Sequence, residues 1–138
     1  MKYLALDMGE RKVGVAGSDS GIAAMPLLPL EMGADFMRSL GAVVEAEKPE
    51  IIIFGLPHHA NGEDTAFASD IRKLAEGIKH EFGVKIDFED EFGTTKEAEE
   101  RLRDMGVAER DLGKYDDSVA AVIILESYFS RTSEDHLK

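Results

Sequence analysis

The hydrophobic positions at the start of the chain predict two strands joined by a short turn. Residues 3–6 form an apolar run, and residues 13–16 form a second one after a polar turn that contains glycine. The next apolar stretch, residues 23–30, contains Pro26 and Pro29, which cannot donate hydrogen bonds to a sheet ladder. We therefore expect a hairpin with a central strand, followed by an edge strand or an extended connection.

The middle of the chain alternates between helical and strand patterns. Apolar residues recur at helical spacing over residues 36–44, and Pro49 closes that segment before the continuous apolar run of residues 51–54. A second helix is predicted by the apolar stripe between residues 68 and 82. Residues 84–88 then alternate between apolar and charged types, as a half-buried strand does.

The last third of the chain predicts two further helices. A capping box at residues 94–97 indicates a helix that ends just before Gly106. A last helix, from about residue 116 to 129, has a stripe of small and apolar residues, and the polar tail from about Ser130 is expected to fray. The order of these elements indicates one α/β domain over residues 1–138, with a five-stranded mixed sheet flanked by helices.

The composition limits the class of protein. With 138 residues, 43% of them hydrophobic, the chain has the size and apolar share of a single domain. The absence of Cys excludes a disulfide framework and a thiolate metal site, and it fits a reducing cytoplasm. No apolar run is long enough to span a bilayer, and Asp7 comes too early for a signal peptide. We therefore expect a soluble cytoplasmic protein that does not bind a membrane.

The formal net charge of -12 weighs against tight binding to nucleic acid, because that affinity comes largely from Lys and Arg displacing counterions. Bound divalent cations would offset only part of this charge, so a nucleic-acid-binding protein would still need a local basic surface. The candidates for that surface are Arg11, Lys12, Arg72, Lys73 and Lys114. Each of them could equally be a scattered solubilising charge.

Three carboxylates are singled out by their positions at the ends of predicted elements. Asp7 ends the predicted central strand, where a charge needs a partner or a metal, and Glu91 follows the last predicted strand. Asp117 lies at the start of the last helix, on the same stripe as Ala120 and Ala121. Small side chains at those positions would let the helix approach the sheet closely. All three carboxylates can therefore converge at one end of the sheet.

A cluster of carboxylates points to cation chemistry. Like charges repel one another unless cations neutralise them, and hard oxygen ligands suit Mg²⁺ or Mn²⁺. Two such ions can activate a water and stabilise the leaving oxygen of an in-line phosphoryl displacement. Simpler interpretations stay open, with Asp117 as a helix N-terminal charge and Glu91 as a solvated acid. The Asp-x-Gly turn at Asp7 also suits the phosphate loop of actin-like nucleotide-binding folds, but those need a second large domain.

Four groups of short motifs follow one another along the chain. They are Leu4-Ala5-Leu6-Asp7-Met8-Gly9 with Gly14-Val15-Ala16, Gly55-Leu56-Pro57 with Asn61-Gly62, Asp90-Glu91 with Thr94-Thr95, and Asp117-Ser118-Val119-Ala120-Ala121 leading to Tyr128. Together they closely resemble the YqgF/RuvX family, over nearly the whole chain and in the right order. The combination is much more specific than any single motif.

The resemblance implies a ribonuclease-H-like fold and a nuclease, related to Holliday-junction resolvases, that matures the end of pre-16S ribosomal RNA. By the same resemblance, Asp7, Glu91 and Asp117 match the three acidic positions of the family. The chain has Phe92 where the family usually has Arg after the second acid, which removes a phosphate contact. It also has the pair Asp116-Asp117, and the Ala-Ala spacing that follows favours Asp117 as the family acid.

Two histidines, His58 and His59, lie in a loop that is expected to face the same end of the sheet. They could contact phosphate or shuttle a proton, or they could be ordinary exposed loop residues. Two functions remain open. One is a metal-dependent endonuclease acting on structured nucleic acid, either pre-16S rRNA in ribosome biogenesis or branched DNA. The other is a non-catalytic nucleic-acid-binding or ribosome-assembly module, which Phe92 and the acidic balance favour. In either case we expect a monomer or a homodimer.

Overall fold

The structure of the chain is a computed structural model. It describes residues 2–9, 11–57, 65–90 and 112–137, together with residues 103, 104, 106 and 108, and the side chains of the last helix from 118 to 132. The elements are β1 (Tyr3–Met8), β2 (Lys12–Ser18), β3 (Met25–Glu31), α1 (Phe36–Glu47), β4 (Ile51–Leu56), α2 (Ala66–Phe82), β5 (Lys85–Asp90) and α3 (Leu112–Leu137).

The five strands form one mixed sheet in the order β3-β2-β1-β4-β5. Strands β1, β2 and β3 are antiparallel neighbours, whereas β4 runs parallel to both β1 and β5. The predicted α/β class with a mixed sheet is therefore confirmed, including the edge position of the proline-containing strand. Because β1, β4 and β5 are parallel, their carboxyl ends meet at the same edge of the sheet.

Alternating side chains of β1 supply two apolar cores on opposite faces of the sheet. Leu4, Leu6 and Met8 pack with the residues of α1 and α2, whereas Ala5 packs with the buried residues of α3. The period of two then places Asp7 on the α3 face, with Ala5.

The α3 face is lined by small residues, since Ala5, Ala16 and Ala121 are fully buried there. This confirms the expected close approach of the last helix, and Ala120 is half-buried.

The helix ends follow local chemistry that the sequence indicates. Lys48 ends α1 in the left-handed conformation directly before Pro49, and the Thr65 side chain accepts a hydrogen bond from the Ala68 N–H at the start of α2. Helix α3 extends further than predicted at both ends. No helix in the described parts of the chain is long and apolar enough to cross a membrane.

The helix predicted between residues 94 and 106 lies mostly outside the described residues. Arg103 and Asp104 are helical, and Gly106 has a φ of 85°. The Gly106 N–H donates a hydrogen bond to the Arg103 carbonyl at 3.0 Å. A left-handed glycine with such a bond is typical of a helix end, in accord with the predicted stop.

Candidate functional site

Asp7 lies near the carboxyl end of the central strand β1, on the face covered by α3. Asp7 pairs with Gly14 of β2. On the other side of β1, Leu6 pairs with Phe54 of β4, so the next residue, Asp7, lies beside Gly55. The residues that flank the half-buried Asp7 on the two neighbouring strands are therefore both glycines. Glycine inside a strand is typical of a place where a ligand or another backbone approaches closely. One carboxylate in this setting fits a hard divalent cation.

The turn after β1 carries two of the predicted basic residues to the same edge of the sheet. The Gly9 N–H donates to the Lys12 carbonyl at 2.9 Å, and the Met32 N–H donates to the Arg11 carbonyl at 2.7 Å. A Cβ added at Gly9 would lie 2.5 Å from the Lys12 carbonyl oxygen, so this turn needs glycine there. Arg11 and Lys12 are exposed, and so they are available to solvent beside the end of β1.

Ser118 fastens α3 to the sheet near Asp7. Its hydroxyl accepts a hydrogen bond from the Val15 N–H at 3.2 Å and donates one to the Leu27 carbonyl. Val15 is the residue after Gly14, which pairs with Asp7. The sequence motif contained Ser118, but nothing in the periodicity indicated that a buried hydroxyl would join three elements.

The acidic run before Glu91 is partly structural. The Tyr128 hydroxyl donates a hydrogen bond to Asp87 at 2.8 Å. Glu89 is 8% exposed and accepts hydrogen bonds from the Ser127 hydroxyl and from Arg131 Nε, both at 2.8 Å. Two acids of the run are thus held by α3. The sequence contained one signal of this shared role. Asp87 and Glu89 are two residues apart, which places both side chains on the same face of β5.

These contacts change the ionisation of the helix residues. Burial, strengthened by the hydrogen bond to Asp87 and by its charge, raises the pKa of Tyr128 from 10.0 to about 12. The hydrogen bond to Glu89 raises the pKa of Arg131. Tyr128 is therefore a neutral donor and Arg131 a cation over the whole physiological range.

Arg72 lies on the other face of the sheet from Asp7. Its guanidinium carbon is 5.0 Å from the centre of the Phe88 ring, and Phe88 packs against the core of α1 and α2. Lys73, its neighbour on α2, is exposed. These two basic residues therefore do not lie on the face that α3 covers.

The remaining predicted site residues are only partly within the described chain. Glu91, His58 and His59 lie outside it, as does Phe92. The backbones of Lys114, Asp116 and Asp117 belong to α3, but their side chains lie outside the described set. Among the described residues, no three His, Asp or Glu side chains form a group that could hold a metal. The three-acid site thus stays a prediction. Of its three side chains, that of Asp7 lies within the described residues.

The fold of the chain is shared by solved structures. Thermus thermophilus RuvC superposes with a TM-score of 0.60 and 14% sequence identity, covering 96% of this chain and 97% of that chain. A fowlpox virus resolvase, determined with Holliday junction DNA, gives a TM-score of 0.56 at 15% identity, covering 96% of this chain and 99% of that one. The fold of this chain is therefore that of RuvC and of the fowlpox virus resolvase, which confirms the predicted ribonuclease-H-like architecture.

The sequence narrows the class to a family. Residues 1–131 match RuvX, described as Holliday junction resolvase. A protein from Lactococcus lactis subsp. lactis (strain IL1403) is 36% identical over 132 residues, which is 92% of each chain. One from Nitratidesulfovibrio vulgaris (strain DSM 19637 / Miyazaki F) is 37% identical over 133 residues, 94% of each. Both carry the provisional name pre-16S rRNA nuclease. This chain belongs to the RuvX family, and its class is that of nucleases that hydrolyse phosphodiester bonds.

Proposed function

We propose that this protein is a divalent-metal-dependent endonuclease that processes structured RNA, with pre-16S rRNA as its substrate, in the cytoplasm. The observation that carries the proposal is the position of Asp7. It lies near the carboxyl end of the central strand, between two glycines and under the helix that contains Asp117. The names of the two bacterial relatives favour ribosomal RNA, and the family description makes branched DNA the second candidate.

Asp7, Glu91 and Asp117 would hold Mg²⁺ or Mn²⁺ in this proposal. Glu91 directly follows β5, whose carboxyl end lies at the same sheet edge as that of β1. Asp117 directly precedes Ser118, whose hydroxyl accepts a hydrogen bond from the Val15 N–H. Val15 directly follows Gly14, the residue that pairs with Asp7. When bound, such a cation lowers the pKa of a coordinated water and stabilises charge on the leaving oxygen.

The residues of the chain would bind and orient the nucleic acid around that centre. Arg11, on the turn that follows β1, and Lys12, the first residue of β2, are exposed, and we assign them to phosphate contacts. Lys114, in the first turns of α3, and the pair His58 and His59, after β4, would extend the same contact surface. With a net charge of -12, binding depends on these local contacts, and so we expect recognition of a folded structure instead of tight binding to any duplex.

A cleavage assay with the full chain tests this proposal. The substrates are a pre-16S rRNA fragment containing an unprocessed end and a four-way DNA junction, each incubated with Mg²⁺, Mn²⁺ or a chelator. We expect the RNA to be cut in either metal, the junction to be cut more slowly, and neither to be cut in chelator. Cleavage of the junction alone would overturn the RNA assignment. Binding without cleavage of either substrate would favour the non-catalytic module.

A matched pair of variants ties the activity to the proposed centre. Asp7→Asn removes the charge at the end of β1 and keeps the shape of the side chain. Asp70→Asn makes the same change at an exposed position on α2. Only Asp7→Asn should lose cleavage, while both remain folded in thermal unfolding. Equal activity of the two variants would show that the reaction does not use Asp7.

A further inference from the structure

Ser118 is a fully buried polar residue at the junction of three elements. Its exposed fraction is 0%, and its hydroxyl is bonded to Val15 of β2 and Leu27 of β3. Both partners are backbone groups, one donor and one acceptor. A hydroxyl can accept one hydrogen bond and donate another at the same time, and alanine can do neither. The chemistry of this contact therefore requires a hydroxyl-bearing side chain.

The contact falls where the register between β2 and β3 changes. Val13 pairs with Leu30, whereas Val15 pairs with Leu27, so one extra residue of β3 lies opposite Gly14. Such a bulge disrupts the ladder locally and leaves backbone groups that need another partner. The Ser118 hydroxyl bridges the two strands at this point. The bulge and the helix are thereby fixed to each other.

The opposite end of the described part of α3 has its own attachment. Ser127 and Arg131 both donate to Glu89 of β5, at 2.8 Å each. The burial of Ala121, Ile124 and Leu125 between these two points holds the helix on the sheet. Removing the Ser118 hydroxyl would therefore loosen the beginning of this segment without detaching the helix.

We infer that Ser118 is a positioning residue for the metal site, an inference that rests on the proposed function. Asp117 directly precedes Ser118 on the same helix, and Gly14, the partner of Asp7, directly precedes Val15. The bond from Val15 to Ser118 therefore links the backbones that carry two of the proposed ligands. Metal–ligand distances in protein sites lie within about 0.2 Å of their usual values, so a shift of the helix start would weaken binding.

Two matched serine variants test the inference. Ser118→Ala and Ser127→Ala each remove one hydroxyl that joins α3 to the sheet, at opposite ends of the described segment. Mn²⁺ affinity is measured by calorimetry on the full chain without nucleic acid, and stability by thermal unfolding in chelator. We expect both variants to melt a few degrees earlier than the wild type. Only Ser118→Ala should lose Mn²⁺ affinity, by about tenfold or more, as for other residues that orient metal ligands.

A double variant distinguishes positioning from a general loss of stability. In an Asp117→Asn background the ligand that Ser118 is inferred to hold is already missing. Adding Ser118→Ala there should lower the melting temperature again but cause little further loss of Mn²⁺ affinity. An equal further loss of affinity would show that Ser118 does not act through Asp117.

The failures of the two ideas give different results. If the folded Ser118→Ala variant binds Mn²⁺ as tightly as the wild type, the hydroxyl is only structural and the inference is overturned. If the wild type itself binds no Mn²⁺, the proposed metal-dependent function fails. If Ser118→Ala does not fold, the same measurement is made on Ser118→Cys, because cysteine is close to serine in size but forms only weak hydrogen bonds. Reduced Mn²⁺ affinity of the folded Ser118→Cys supports the inference, and unchanged affinity overturns it.

Discussion

Arg131 donates a hydrogen bond from Nε to the Oε1 atom of Glu89 at 2.8 Å, which joins α3 to the strand β5. The other carboxylate oxygen accepts from the Ser127 hydroxyl, so the buried acid has a partner on each side. The Arg131 guanidinium also lies over the Tyr128 ring, 5.3 Å from its centre. Together with Ser118, these contacts set the direction in which α3 crosses the sheet.

Arg131→Met should destabilise the protein. It removes the cation from Glu89, whose side chain is 8% exposed, and leaves the hydrogen bond from the Ser127 hydroxyl in place. A hydrogen bond to a charged group contributes about 1.5–3 kcal/mol, and exposure of the arginine lowers this to about 1–2 kcal/mol here. Urea unfolding measures the loss. Arg38→Met, at an exposed position on α1, is the control and should change nothing measurable. An equal loss in both variants would contradict a role for the pair.

Tyr128→Phe should flatten the fall of stability at high pH. The pKa of Tyr128 is about 12 in the folded protein and near 10.0 when unfolded, so folding favours the protonated phenol. Its stabilising contribution is therefore complete below pH 10 and is lost as the pH rises toward 12. Unfolding free energies from urea titrations over this window should fall more steeply in the wild type than in the variant.

The absorbance of ionised tyrosine gives an independent measure of the same group. In the folded wild type, one of the three tyrosines should ionise at a higher pH than an ordinary tyrosine does. Tyr128→Phe should remove this late step of the titration. Tyr3→Phe, which changes a ring that packs against Tyr128, is the control and should keep the late step. A late step that survives in Tyr128→Phe would assign the raised pKa to another residue.

Asp7→Asn, Glu91→Gln and Asp117→Asn should each abolish cleavage without unfolding the protein. Each substitution keeps the shape of a proposed ligand and removes the charge that would hold a cation. The losses should be non-additive, because removing one ligand disables a shared site. At least one variant should be neutral or slightly stabilised in chelator, since clustered like charges destabilise a metal-free site.

Asp116→Asn is the internal control for these three variants, and it should keep most of the activity. An inactive Asp116→Asn together with an active Asp117→Asn would reverse the assignment within the pair. Normal cleavage by all four variants would reject the metal mechanism.

Arg11→Gln and Lys12→Gln should weaken binding of nucleic acid and reduce its dependence on salt. Each phosphate contact contributes about one to the slope of log affinity against log salt concentration. The slope should therefore fall by about one in each variant. Lys85→Gln changes an exposed lysine at the amino end of β5, the opposite edge from Asp7, and should leave the slope unchanged. Unchanged slopes for the turn variants would place the nucleic acid elsewhere.

Phe92→Arg should strengthen binding, because the RuvX family usually has arginine directly after its second acid. The new side chain can make a phosphate contact, so the salt slope should rise by about one. Phe92→Leu is the control, since it removes the ring without adding a charge. If Phe92→Arg leaves the slope at the wild-type value, this position does not face the substrate.

The sequence by itself determined the order and type of the elements that the structure describes. Short continuous apolar runs predicted β1, β2 and β4, because a strand covered on both faces buries every side chain, and alternation of apolar and charged residues predicted the half-buried β5. The prolines of β3 predicted an edge strand, since they lack the N–H that a central strand needs. Motif order was also sufficient to indicate the RuvX family. Asp7 was identified as a candidate because a charge at the end of a central apolar strand is costly without a partner.

Only the tertiary structure decided which polar groups meet. Ser118 and Val15 are 103 residues apart, and a hydrogen bond between them depends on the register shift of β3 and on where α3 crosses the sheet. The sequence alone indicates no partner for Asp87 or Glu89, and the structure supplies Tyr128, Ser127 and Arg131 of α3 as their partners. Hydrophobic periodicity specifies which face of an element is buried. The partner of a buried polar group is instead fixed by directional contacts that exist only once the helix has docked on the sheet.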